Sequence, residues 1–232
     1  MSVLASKDDV RRVDLGFFVR PATETGSGAV RVEPVLGYLV AHPDVTIMFD
    51  TGMGAVDPET EAHYQPFRRG LPEALAAIGS HLDDLDLVAN CHLHFDHCGA
   101  NQQVARPVVV QAIELATART TDYTMPGLVD FPGVSYREID GEAELAAGVM
   151  VVPPPGHTPG HQSLVVRCGD GTVVVAGQAT DFAFEYGSHH LAWQASQQLG
   201  HEVASYPDWT ERLERFDPAR VVFAHDMAVW EG

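Results

Sequence analysis

Three histidines and an aspartate fall within six residues of one stretch, Cys91-His92-Leu93-His94-Phe95-Asp96-His97-Cys98-Gly99. Imidazole nitrogen and carboxylate oxygen are the ligands of a borderline-soft divalent cation, zinc above all. His92 and His94 are two apart, so on an extended segment they point to the same side. Asp96 and His97 follow at once and open a helix aimed at a second point. One strand end can thus feed two neighbouring metal sites. The plainer alternative is a loop of solvated histidines, against which the density of the pattern argues. Cys91 and Cys98 flank the stretch, either as an extra thiolate ligand or redox trigger or as small buried residues.

The stretch resembles the metal-binding motif of the metallo-β-lactamase superfamily, and the surrounding sequence is most similar to its N-acyl-homoserine lactonase branch. Val45-Thr46-Ile47-Met48-Phe49-Asp50-Thr51-Gly52-Met53 resembles the family's early strand ending in Asp-Thr-Gly. Pro155-Gly156-His157-Thr158-Pro159-Gly160-His161-Gln162-Ser163 resembles its second histidine loop, and Phe223-Ala224-His225-Asp226 its last histidine. The resemblance implies an α/β fold, a metallo-β-lactamase-like αββα sandwich with two mixed sheets between helices, as a single domain over residues 1–232. It implies two divalent metals, zinc by preference. His92, His94 and His157 would hold one, and Asp96, His97 and His225 the other. The implied reaction opens a lactone ring, N-acyl-homoserine lactones first, by a metal-bridging hydroxide. Asp96 orients the nucleophile and later protonates the leaving oxygen. Where the lactonase pattern has a bridging aspartate this chain has Gln178, and where it has a substrate-binding tyrosine the chain has Asp181. One expectation is that Asp181 supplies to the metal the carboxylate that Gln178 lacks; the other is that it caps a helix or faces solvent. These departures keep two alternatives open: another ester, thioester or β-lactam hydrolase, or a weakly catalytic metal- or ligand-binding member.

The elements that must position these groups are legible in outline. Apolar runs predict strands at 13–20, 29–41, 45–49, 85–90, 108–110, 134–138, 148–152 and 221–224. A hairpin is expected with arms at 164–166 and 172–176, turning at Gly169-Asp170-Gly171. Helices are expected at 71–78, 112–117 and 208–215, the last with Asp208 as N-cap. Asp50 is placed either to hold a ligand histidine from behind or to cap a turn. His161 and Gln178 are expected behind the metals rather than on them. The segments 53–69 and 121–133 read as irregular and close to the site, so Met53, Tyr64, Phe67 and Met125, with Phe182, Phe184, Tyr186 and Trp193 further on, are candidate pocket residues; packing in the core is the alternative. His189 and His190 read as surface residues.

The net charge of −18, from 32 acidic and 14 basic residues, excludes a phosphate-backbone partner and argues against anionic membranes. Three cysteines do not make a disulfide framework. No apolar leader and no run of eighteen apolar residues is present. The expectation is a cytoplasmic enzyme with a small-molecule substrate, no nucleic acid, no membrane, and a quorum-quenching activity.

Overall fold

Runs of branched apolar residues become the strands of two sheets, because such side chains pack well on a pleated surface. The computed structural model describes residues 4–120, 122–199 and 205–232. The first sheet contains β1 (Val10–Arg20), β2 (Arg31–His42), β3 (Val45–Phe49), β4 (Phe67–Arg68), β5 (Leu87–Ala89), β6 (Val108–Gln111) and β7 (Tyr136–Ile139). Their order is β4-β1-β2-β3-β5-β6-β7. The second contains β8 (Ala143–Ala146), β9 (Val149–Val152), β10 (Ser163–Cys168), β11 (Gly171–Val175), β12 (Pro218–Val222) and β13 (Trp230–Glu231), ordered β13-β12-β11-β10-β9-β8. Both sheets are mixed: β3, β5, β6 and β7 run parallel, as do β11 and β12, while the remaining pairs are antiparallel.

The side-chain period of two sorts each strand into two cores. Ile47 and Phe49, Leu164 and Val166, and Val173 and Val175 meet between the sheets. Met48 and Val88 face the other way, onto α2 (Leu71–Ala77), α4 (Ala112–Thr120) and α5 (Pro126–Val129). Val165, Val174 and Val221 face α6 (Ala183–Leu199) and α7 (Asp208–Glu214) through Tyr186, Trp209 and Leu213. These strands are apolar on both faces because both faces are covered. The layering is αββα, as expected.

Several local expectations are corrected. The segment 53–69 is not wholly irregular: it holds α1 (Pro58–Tyr64), capped by the Asp57 side chain, and the short strand β4. The segment 121–133 contains α5, with Thr121 itself outside the described residues. Helix α6 covers the stretch read as surface; its apolar residues Phe184, Leu191 and Leu199 are exposed, so no single apolar stripe announced it. His190 is half-buried there, against Glu214. Asp208 is the first residue of α7, not its cap; Pro207 occupies the cap position, with no side-chain hydrogen bond. Strands β8 and β13, short and partly exposed, went unread. Among the described residues no helix is long and apolar enough to cross a membrane.

Candidate metal centre and cavity

The first sheet delivers the histidine stretch at the end of β5. α3 (Phe95–Cys98) begins directly after His94, so His92 and His94 precede the helix while Asp96 and His97 ride on it. The short helix is laced to the segment after β3. Thr51 N–H donates to the His97 carbonyl at 2.7 Å, and Gly54 N–H to that of Phe95 at 2.8 Å. The two backbones touch at Gly99, where a Cβ would lie 1.7 Å from the Gly54 nitrogen, so only glycine fits. Asp50 adopts a left-handed conformation with φ 62°, an uncommon state that aspartate tolerates better than most. Held there, one carboxylate oxygen accepts from Cys91 N–H at 2.8 Å and the other lies 3.0 Å from His97 Nδ1. Asp50 therefore braces a ligand histidine, the first of its two expected roles.

The second sheet contributes His157 from the β9–β10 connection and His225 from the segment after β12. His92 Nε2 lies 2.9 Å from His94 Nδ1, and His157 Nε2 lies 3.1 Å from that same nitrogen. A neutral ring nitrogen has one lone pair and cannot accept twice, whereas three nitrogens converging on a cation need no such bond. In the other group His97 Nε2 and His225 Nε2 lie 3.4 and 3.5 Å from Asp96 Oδ2. A tetrahedral ion with ligands at 2.0–2.1 Å sets ligand–ligand edges of about 3.3 Å, so both groups fit one. His225 Nδ1 donates to the Pro34 carbonyl at 2.9 Å, which leaves Nε2 as the lone-pair nitrogen. That atom is buried and has no hydrogen-bond partner among the described residues. The ring centroids of His92 and His97 are 4.2 Å apart, so the two groups are immediate neighbours.

The electrostatics suit ligation, which needs neutral imidazole and ionised carboxylate. Burial lowers His92, His157 and His225, and takes His94 down to about 3. Burial alone would raise Asp96, but His97, His225 and His94 outweigh it and hold it well below the usual carboxylate range. His97 is the exception: burial pulls it down, but Cys91, Asp96 and Asp50 together raise it.

His161 lies behind the centre, as expected. Its Nε2 accepts the Gln178 N–H at 3.0 Å, and burial with His157 and His97 lowers it to about 3. Cys91 backs onto Nδ1 of His92 and His97, 3.0 and 3.2 Å away. Burial and Asp50 keep its thiol well above the usual range, and burial pushes Cys98 up to about 12. Both are buried, and Cys91 Sγ forms with His92 and His97 a further group close enough to hold a cation. Asp181 belongs to neither ligand group; its carboxylate accepts from the Gln178 amide instead.

Stability should carry the signature of these neutral histidines. In metal-free protein the unfolded chain takes up protons at His94 and His161 from the ordinary histidine pKa of about 6.5 downward, while the fold keeps both neutral until about 3. Stability therefore falls with pH across that window, by about 1.4 kcal/mol per unit for each such group. His97, raised, opposes this slope only near the ordinary value, where the unfolded chain still titrates and the fold is already protonated. Thermal melts between pH 7 and pH 4 check this; a flat midpoint contradicts it.

A cavity of about 480 Å³ opens over His94, Asp96, His157 and Gln178. Phe18, Tyr64, Phe95, Tyr123 and Met125 form its apolar wall, with Arg20, Glu24, Thr60, Asp122 and Thr124 its polar one. Of the expected pocket residues, Tyr64 and Met125 are on it. Met53 is buried in the core under the first sheet. Phe67 sits on the edge strand β4, stacked on Phe17 and 56% exposed. Phe182 stacks on Phe184 and under the Arg31 guanidinium.

Sequence reasoning also passed over Glu114. This buried α4 carboxylate accepts from Leu93 N–H at 2.9 Å and the Tyr123 hydroxyl, and from the Thr158 hydroxyl at 2.7 Å and Gly160 N–H at 3.1 Å. It ties the two ligand loops together. The loop passes so close that a Cβ on Gly160 would lie 2.4 Å from the Glu114 backbone nitrogen. The available signal was an acidic residue beside Leu115 and Ala118 on the buried face of the helix.

Fold and site together define the class: the chain belongs to the metallo-beta-lactamase superfamily, whose profile matches residues 30–225. Its ligand groups have the donor chemistry of a divalent-metal site. An N-acyl homoserine lactonase from Bacillus sp is 32% identical over 151 residues, 58% of this chain and 58% of that protein. The chain thus spans little more than half the length of that relative. The N-acyl homoserine lactonase AttM of Rhizobium radiobacter is 30% identical over 88% of this chain and 86% of its own. In structure, an N-acyl homoserine lactone hydrolase with its product N-hexanoyl-L-homoserine at the catalytic metal center superposes with a TM-score of 0.75 at 24% identity, covering 98% of this chain and 95% of that one. The dizinc quorum-quenching lactonase AidC superposes at 0.64, with 16% identity over 92% and 86%.

Proposed function

We propose that this chain is a metal-dependent lactonase that opens the ring of N-acyl-homoserine lactones. It would act as one catalytic domain, in the cytoplasm, with zinc as the metal. The observation that carries the reading is the pair of adjacent His/Asp groups opening onto one half-apolar cavity. His92, His94 and His157 would hold one cation, and Asp96, His97 and His225 a second. Divalent cations held there would supply Lewis-acid chemistry for a lactone carbonyl and for water near neutral pH. The protein does the rest. Asp50 and the Pro34 carbonyl fix the ring orientations of His97 and His225. Asp96 lies on the cavity wall and is held ionised. It takes the proton of the attacking water and returns it to the ring oxygen as the carbon–oxygen bond breaks, leaving a hydroxy acid. Tyr64, Phe95 and Met125 would receive the acyl chain.

A second reading, hydrolysis of another ester or thioester, draws on Asp181 standing where the lactonase pattern has a tyrosine. A pH-stat assay separates the two. We expect acyl-homoserine lactones to be hydrolysed faster than thioesters, β-lactams or plain esters, with activity lost to a chelator and restored by zinc. Chelator-insensitive turnover, or binding without turnover, contradicts the proposal.

A further inference from the structure

Gln178 stands where the second ligand group meets the cavity, and its amide is held from both ends. The side-chain oxygen lies 3.0 Å from His97 Nε2, and the side-chain nitrogen donates to Asp181 Oδ1 at 3.0 Å. The backbone is fixed as well, its N–H donating to His161 Nε2. A carboxylate offers only acceptors, so the amide must turn its NH₂ toward Asp181 and its oxygen toward His97.

We propose that Gln178 is a neutral oxygen ligand of the cation held by Asp96, His97 and His225, and that Asp181 is its positioning residue. This rests on the two-cation reading above. The negative charge that a bridging aspartate would place on the cation sits instead one hydrogen bond behind it. It acts through the amide, polarising the C=O toward the metal as hydrogen-bonded chains do. Asp181 thus stands to Gln178 as Asp50 stands to His97, a carboxylate that aims a ligand. A neutral oxygen attracts a dication less than a carboxylate does, so the retention of this cation depends on Asp181.

The test is a zinc titration of metal-free protein followed by calorimetry, repeated with cobalt followed by visible absorption. The wild type should take up two equivalents in two affinity classes. Asp181→Asn, which is nearly isosteric, and Asp181→Ala should each weaken one of the two classes by roughly 10–100-fold. Both should leave the other class unchanged, and only the cobalt spectrum of the weakened class should alter. Gln178→Asp combined with Asp181→Asn returns a carboxylate to the cation and should restore the class. If the Asp181 variants bind both equivalents like the wild type, the proposal is overturned while the two-cation reading stands. If the wild type itself takes up a single equivalent, both fall.

Discussion

If the chain is the lactonase proposed above, Asp96→Asn lowers lactone hydrolysis by roughly 10²–10⁴-fold, the range that a positioned proton-transfer group contributes. The argument starts from placement. Asp96 is buried on α3, yet it forms part of the cavity wall over which substrate must sit. It is also the only carboxylate in either His/Asp group. Asparagine keeps an oxygen near His97 and His225, so cation content falls less than the rate does. What it cannot do is take a proton from water and give it up to the leaving oxygen. Rate and bound metal measured on the same sample separate the two effects. A variant that holds its metal and keeps more than a tenth of the rate removes Asp96 from the proton transfer.

Glu114→Ala destabilises the metal-free protein by about 3–5 kcal/mol, since four donors lose their shared acceptor and each unsatisfied buried group costs about 1–3 kcal/mol, offset in part by relaxation. For a chain of this size that lowers the melting midpoint by roughly 10 °C. The loosened ligand loops also bind zinc less tightly. Glu114→Gln keeps one oxygen but turns an NH₂ toward two donors, so it falls between the wild type and alanine. Urea unfolding measures the first effect and a competitive chelator titration the second. A loss below 1 kcal/mol means that water replaces the carboxylate.

The ligands differ in how they could be read. His92, His94, Asp96 and His97 are legible because local spacing alone aims them; a strand end and one helical turn suffice. His157 and His225 carry no such local signal, and their place is set by the approach of a second sheet; only the resemblance to a family singled them out. Asp50 was open between two roles until its left-handed backbone and its bond to His97 decided. The cavity was the least legible part. Arg20 and Glu24 from the β1–β2 end and Tyr123 before α5 converge through tertiary packing that no window of sequence contains, whereas Tyr64 and Met125 are legible as apolar residues of segments beside the site. Phe67 and Phe182 were nominated for their chemistry and lost to geometry, one on an edge strand and one beneath an arginine. The strands were read well, because both faces are apolar over long runs. Helix α6 was not, because its apolar residues do not share a buried face.

Each ligand group draws on both sheets. His94 and His157, which share the first, are 63 positions apart in the chain, and His225 reaches across to α3 to complete the second. A cation bound here is therefore a clasp between two halves, and neither half can grip it alone. A site built from both sheets is complete only once they have docked, so the supply of a divalent cation would bear on how long the assembled chain endures, apart from any chemistry it performs.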